Sequence, residues 1–315
     1  MAKPKSLGDG AKSVTPMPPM TLPHPTAKGA SAKWTGEAFD LGTERVRVLA
    51  YDVSPSGWTD ALTQLHEDVG ASDHFIEVAS RRHTCREVRR ALQHSRSVVL
   101  EIGVSSGALL RELITTFPGH RIIGADYTRG TLDALGERLP GVPLLQFDLT
   151  RCPLPKACVD VVVALNVLEH IGDHSRAIAE LFRILRPSGR AIIEVPAGPS
   201  LYDVYDRALM HHRRYAMAEL IELFKEAGFS IEQKSHLGFM IYPAFYISKR
   251  LNQLRYRRPN TFNERQLVSR MIVASGRVSA LGTRALRLEE AIRPYLAFPW
   301  GIRCLLSACK PARGD

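Results

Sequence analysis

Ten residues, Val98 to Gly107 (VVLEIGVSSG), constrain this chain more than any others. An apolar run of strand type carries an acid at Glu101. It then breaks into a turn with glycines at Gly103 and Gly107, ahead of a helical stretch from Ala108 to Thr116. A buried strand turning sharply into a helix aims backbone amides at whatever sits above the strand end. An open α/β sheet holds a nucleotide-like cofactor in this way. Glu101 narrows the choice. A dinucleotide site wants Gly-x-Gly-x-x-Gly with a diphosphate on the helix N-terminus and no acid beside it. Here the turn is Gly103-Val104-Ser105-Ser106-Gly107, and the carboxylate suits a cofactor with a positively charged amino acid end.

Strand and helix patterns then alternate, the mark of a mostly parallel sheet. Strands are predicted at Ser97 to Ile102, Arg121 to Asp126, Pro143 to Phe147, Val159 to Leu165, Arg190 to Val195, Ser230 to His236 and Ile302 to Cys309. Helices are predicted at Ser175 to Leu185, stopped by Arg186, Pro187 and Gly189, and at Ala216 to Ala227. Two more acids close successive strands. Asp126 is placed to accept both hydroxyls of a ribose, and Asp148 to accept from an adenine amino group. A lone aspartate at a strand end is more often a turn cap, but three acids at three successive strand ends form a constellation.

At these residues the chain resembles class I methyltransferases that use S-adenosylmethionine (SAM), close to the branch containing quinone-biosynthesis methyltransferases. The resemblance covers Val98 to about Gly238. It rests on the glycine turn, Asp126, Asp148, Val159 to His170 (VDVVVALNVLEH) and Arg183 to Gly189 (RILRPSG). It implies a Rossmann-like, mostly parallel seven-stranded sheet with an antiparallel last strand and helices on both faces. It also implies that Glu101, Gly103, Ser105 and Gly107 hold the methionine part of SAM, Asp126 the ribose and Asp148 the adenine. Asn166 and Leu168 would line the cofactor's wall. Ser105 departs from the family, which often has glycine there, so weaker SAM binding is expected.

A second resemblance, Val195 to Tyr215 (VPAGPSLYDVYDRALMHHRRY), is to a bacterial subgroup associated with glycan or lipid pathways. It places Asp206, His211, Arg213, Arg214 and Tyr215 near the methyl acceptor. His211 is expected as general base, oriented by Asp206. The competing reading makes His211 and His212 backbone-bonding loop residues. Arg213, Arg214 and Tyr215 are expected to bind the substrate, the arginines by clamping a carboxylate or phosphate, unless they tie the loop to Asp203 or Asp206. His170, His174, His211 and His212 raise a metal reading, but they form no helical i, i+4 ligand pair and no companion carboxylate cluster is apparent. No metal is expected.

Composition bounds the remainder. Five cysteines without a Cys-x-x-Cys pair indicate neither a zinc ribbon nor a disulfide framework, and a reducing cytoplasm fits. No apolar run approaches the ~20 residues of a spanning helix. The formal net charge of +10 is concentrated: from Ile241 onward there are fourteen Lys or Arg against four acids. That segment, with Phe239, Tyr242, Phe245 and Tyr246 ahead of Lys249, Arg250, Arg255, Arg257 and Arg258, could contact an anionic membrane peripherally and admit a lipid-linked acceptor. A solvated set of helical faces is the alternative.

The domain plan is a disordered tail over 1–40, a helical cap over 41–95 and a SAM-binding core over 96–240. A helical basic insertion follows over 241–300, then the last strand over 301–315. Within the cap, Leu62, Leu65, Val69, Val88 and Leu92 recur at helical spacing. The favoured function is methyl transfer to a small-molecule, glycan or lipid-linked acceptor at oxygen. Alternatives are a non-catalytic SAM-binding module and an RNA methyltransferase. Asn166-Val167-Leu168-Glu169 is not the Asn/Asp-Pro-Pro-aromatic of base-amino methylation, which counts against nucleic acid. Gly103 to Gly107 also spells a Gly-x-Ser-x-Gly nucleophile elbow, but the strands a hydrolase needs before it are missing.

Overall fold

The computed structural model describes residues 20–53, 74–255, 276–293 and 295–312. The chain begins with strands β1 (Thr21–Pro23), β2 (Ser31–Trp34), β3 (Phe39–Asp40) and β4 (Arg45–Val46), paired antiparallel in that order. Residues 21–40, expected within a disordered tail, are therefore folded. Leu22, Ala32, Trp34 and Phe39 are buried, and the Trp34 and Phe39 rings lie 4.8 Å apart. An aromatic pair of this size supplies the apolar area that holds such short strands on the domain. Leu62, Leu65, Val69, Arg257 and Arg258 lie outside the described residues.

The main sheet contains β5 (Val48–Ala50), β6 (Val98–Ile102), β7 (Arg121–Asp126), β8 (Leu144–Gln146), β9 (Val159–Leu165), β10 (Leu185–Pro196), β11 (Ser230–Leu237) and β12 (Arg303–Cys309). Their order is β11-β12-β10-β9-β6-β7-β8-β5. The strands from β10 through β5 pair in parallel, and β12 runs antiparallel between β10 and β11. All seven expected strands form. β5 is an eighth, and at three residues it is too short to carry a pattern of its own.

Strand alternation divides the core between the two faces. On β9, Val162 and Ala164 join one cluster, while Val161 and Val163 join the other. Helices α1 (Phe75–Ala91), α2 (Ala108–Thr116) and α3 (Arg129–Arg138) cover the second face through Val88, Leu110, Leu113, Leu132 and Leu135. Helix α4 (His174–Ile184) and a later helix cover the first. α4 starts where Asp173 accepts the Arg176 amide, and it buries Ala177, Ile178, Leu181 and Ile184, an i, i+1, i+4, i+7 stripe.

Between β10 and β11 lie a short helix, α5 (Val204–Ala208), and α6 (Met217–Glu226), which packs on the α4 face through Leu220 and Phe224. Helices α7 (Tyr242–Arg255) and α8 (Gly276–Ile292) stand between β11 and β12. Among the described residues no helix is long and apolar enough to cross a membrane, and all five cysteines are free thiols.

Candidate cofactor and acceptor site

The C-terminal ends of the parallel strands carry the glycine turn and its acids. Gly103 and Gly107 have φ of 80° and 77°, and Ser105, at 44°, is also left-handed. Glycine occupies that region freely and an L side chain does not, so Ser105 holds its turn at some strain. The turn is tied to the neighbouring strand. Gly103 and Val104 amides donate to the Ala125 carbonyl at 2.8 and 3.2 Å, and the Ser105 amide donates to Asp126 Oδ2 at 3.1 Å.

Both glycines are also held by close packing. A Cβ at Gly103 would lie 2.6 Å from Val167 Cγ2, and one at Gly107 would lie 2.3 Å from Leu135 Cδ2. Gly107→Ala is expected to cost at least about 1–2 kcal/mol from its backbone conformation alone. Urea unfolding measures this, and a wild-type midpoint would refute it.

Asp126 is buried. Its Oδ1 accepts the Thr128 amide at 2.9 Å and the Thr128 hydroxyl at 2.7 Å. With the Ser105 bond and a backbone hydrogen bond from Tyr127, the carboxylate is held by donors on several sides. Asp148 caps the 3-10 turn Leu149–Arg151, accepting the Thr150 amide and hydroxyl, both on Oδ1. The cap reading holds for that oxygen and leaves Oδ2 out of it. Glu101 is 4% exposed and its Oε2 has no hydrogen-bond partner. Burial, reinforced by Asp126, raises its carboxyl well above the ordinary glutamate value.

Asn166 sits at the end of β9 with φ 53°, a conformation asparagine tolerates, and its amide donates to the Glu194 carbonyl. Leu168 does not line a wall: its side chain is fully buried in the core. Val167, which reading the motif passed over, is the residue against the glycine turn.

The second motif folds into a buried polar knot. Asp203 and Asp206 form a reciprocal capping box at the start of α5. Asp206 Oδ1 accepts from His211 Nδ1 at 3.0 Å and Arg214 Nη1 at 2.8 Å. Its Oδ2 accepts from the Asp203 amide at 3.0 Å and Lys249 Nζ at 2.9 Å. All four acceptor positions are taken. Burial pushes its carboxyl up, but the His211 hydrogen bond and the charges of Arg214 and Lys249 outweigh that and hold it far below the usual range.

Asp206 thus acts on His211 and not on a ligand. Arg214, also bonded to the Ala197 carbonyl, is buried, so it ties the loop and clamps no substrate. Tyr215 is fully buried too. Its hydroxyl donates to the Leu168 carbonyl and lies 2.9 Å from His174 Nδ1, so it props the loop. Arg213, bonded to the Gly172 carbonyl, is the more exposed arginine of the pair. Lys249, counted from sequence in a surface cation cluster, is inside, bridging Asp203 and Asp206.

His211 is 8% exposed, and burial keeps its imidazole below its ordinary pKa despite Asp206. Its ring meets His170 edge-on at 4.7 Å. The 3-10 turn Leu168–His170 brings Glu169 alongside. One ligand-type atom from each of Glu169, His170 and His211 lies within 4.8 Å of the others. Glu169 has no exposure, neither carboxylate oxygen has a hydrogen-bond partner among the described residues, and burial pushes its carboxyl up to about 8. Forty-one positions separate His170 from His211, so sequence spacing showed nothing of this group.

A glycine turn of this shape at the switch of a 3-2-1-4-5-type sheet, with an antiparallel strand inserted near one edge, defines the Rossmann-like class I methyltransferase fold. Residues 100–193 match the family model described as a methyltransferase domain. The chain is 36% identical over 154 residues to a probable S-adenosylmethionine-dependent methyltransferase of Mycolicibacterium smegmatis. The alignment covers 48% of this chain and 59% of that protein. It is 32% identical over 114 residues to the trans-aconitate 2-methyltransferase of an Azoarcus species, covering 36% and 44%. Phosphoethanolamine N-methyltransferase 2 of Haemonchus contortus, solved with S-adenosyl-L-methionine, superposes with a TM-score of 0.51 at 16% identity. That match covers 80% of this chain and 57% of that one. The chain thus spans about half the length of the relatives it matches, and the structural likeness is one of fold.

Proposed function

We propose that the chain transfers the methyl group of SAM to a hydroxyl on a small-molecule, glycan or lipid-linked acceptor. The observation that carries this is the glycine cradle closed by Val167 and Leu135, with the orphaned Glu101 carboxylate buried beside it. A buried acceptor atom without a donor is costly, and a cationic amino group supplies both the donor and the charge. The residues therefore fit SAM: Glu101 for its amino end, Asp126 at the end of β7 for a ribose hydroxyl and Asp148 for the adenine amino group. When bound, SAM supplies a methyl group already activated by a sulfonium, so transfer is downhill. The protein's work is to align the acceptor and to take up its proton. We assign the acceptor side to Glu169 and His170, in the 3-10 turn after β9, and to His211, fixed by Asp206.

A small acceptor accords with the trans-aconitate named for one relative. The lipid-linked version draws its support from α7, whose Ile247, Leu251 and Leu254 are exposed along one face with no acid anywhere in the helix.

Glu101 provides a test of the cofactor half. Its folded pKa lies above the unfolded value of 4.5, so the folded state binds more protons. The wild-type apoprotein thus loses stability as pH rises through 4.5 toward the folded value. Glu101→Gln removes that penalty. The variant is expected to melt higher than wild type at neutral pH and alike below about pH 4, while binding SAM roughly tenfold to a hundredfold more weakly. Equal melting at both pH values would contradict it.

The whole reading is tested with labelled SAM added to small-molecule, glycan and lipid fractions of a cell extract. Label entering one fraction with wild type, and not with Asp126→Ala, supports it. Calorimetric SAM binding without any labelled product would make the chain a non-catalytic module.

A further inference from the structure

We propose that Glu169, His170 and His211 form a binding site for a divalent first-row transition-metal ion at the acceptor end of the cofactor cleft. Its role in holding an acceptor rests on the methyl-transfer reading, but the site itself does not.

Four observations carry it. First, the three side chains offer one oxygen and two nitrogens, all within 4.8 Å of one another. Metal bonds of about 2.1 Å put adjacent ligands about 3 Å apart, so closure asks for less than two ångströms of side-chain movement. Second, Glu169 is fully buried with two partnerless oxygens. Native proteins rarely leave a carboxylate in that state, and a cation satisfies it.

Third, Asp206 engages His211 at Nδ1, which leaves Nε2 as the ring nitrogen for a ligand. A carboxylate behind a histidine is the arrangement that orients metal-bound imidazoles and raises their basicity. The group is also anchored, because the His212 amide donates to the Glu169 carbonyl at 2.8 Å and joins the two segments side by side.

Fourth, the surrounding charges are out of balance. Arg214 and Lys249 are matched by Asp203 and Asp206, whereas Arg303 meets both Glu77 and Glu194. Among the described residues no ion pair reaches Glu169 itself. Two imidazoles and one carboxylate select a transition ion over Mg2+ or Ca2+, and they leave coordination positions for oxygens of an acceptor.

The probe is Mn2+ alone, titrated into the tag-free full chain without SAM and followed by electron paramagnetic resonance. One ion per chain is expected, with pulsed spectra showing imidazole nitrogen coupling. Glu169→Gln and His170→Asn should each weaken binding at least tenfold. The exposed Glu226→Gln should bind as wild type does. Wild-type protein that binds no Mn2+, or binds it without nitrogen coupling, overturns the site, and so does a folded Glu169→Gln chain with unchanged affinity. The wild-type spectrum decides the matter even where a variant fails to fold. SAM binding and label transfer measured in EDTA report on the methyl-transfer reading separately.

Discussion

Asp206→Ala is expected to destabilise the protein by about 3–5 kcal/mol, the range for breaking a buried ion pair from one side. The loss falls on more than one bond. Arg214 and Lys249 are both almost fully buried. Each would keep its charge with less to face it, and the Asp203 amide would lose its acceptor at the start of α5. His211 would lose the partner that sets its ring. Urea unfolding followed by circular dichroism measures the effect. A loss under about 1 kcal/mol, the level of an exposed pair, would show that the knot is solvated. Lys249→Met separates the contributions, since it leaves Asp206 with Arg214 and His211.

Asp126→Ala carries the other large effect, on ligand affinity. Its carboxylate supports the Ser105 amide and both donors of Thr128, so its removal loosens the strained side of the glycine turn as well as a ribose contact. Charge-assisted hydrogen bonds of about 1.5–3 kcal/mol place the expected loss in SAM affinity at roughly a hundredfold or somewhat less. Calorimetry reads it directly. Asp126→Asn keeps an oxygen for Thr128 and should fall between the two. If the alanine variant binds SAM as wild type does, the cofactor does not lie against β7.

The sheet was legible because period-two apolar runs and Gly or Pro breaks are local signals, and β6, β7 and β9 to β12 each carry one. β5 and the small N-terminal sheet were not, since strands of two to four residues are held by partners distant in sequence. Trp34 and Phe39 read as a sparse aromatic pair within a proline-rich region. At the site, Glu101, Asp126 and the glycines could be named because two adjacent strand ends, those of β6 and β7, place them.

The acceptor side behaved differently. Arg214, Tyr215 and Lys249 are residue types expected at a surface or a ligand, and only packing shows that they are turned inward. Glu169 was passed over for the opposite reason. Nothing in the string NVLEH distinguishes a glutamate with four hydrogen bonds from one with none.

The placement of β12 between β10 and β11 has a consequence for the newly made chain. β11 cannot join the sheet until β12, encoded some 65 positions after it, has been synthesised and laid against β10. Until then the β10 edge stays open as a template for other chains, and the carboxylates of Glu77 and Glu194 await the guanidinium of Arg303. Closure of the sheet is therefore a long-range event, slow by its topology. A ribosome that stalls between α7 and α8 would hold out a sheet that lacks β12, with β10 as its open edge.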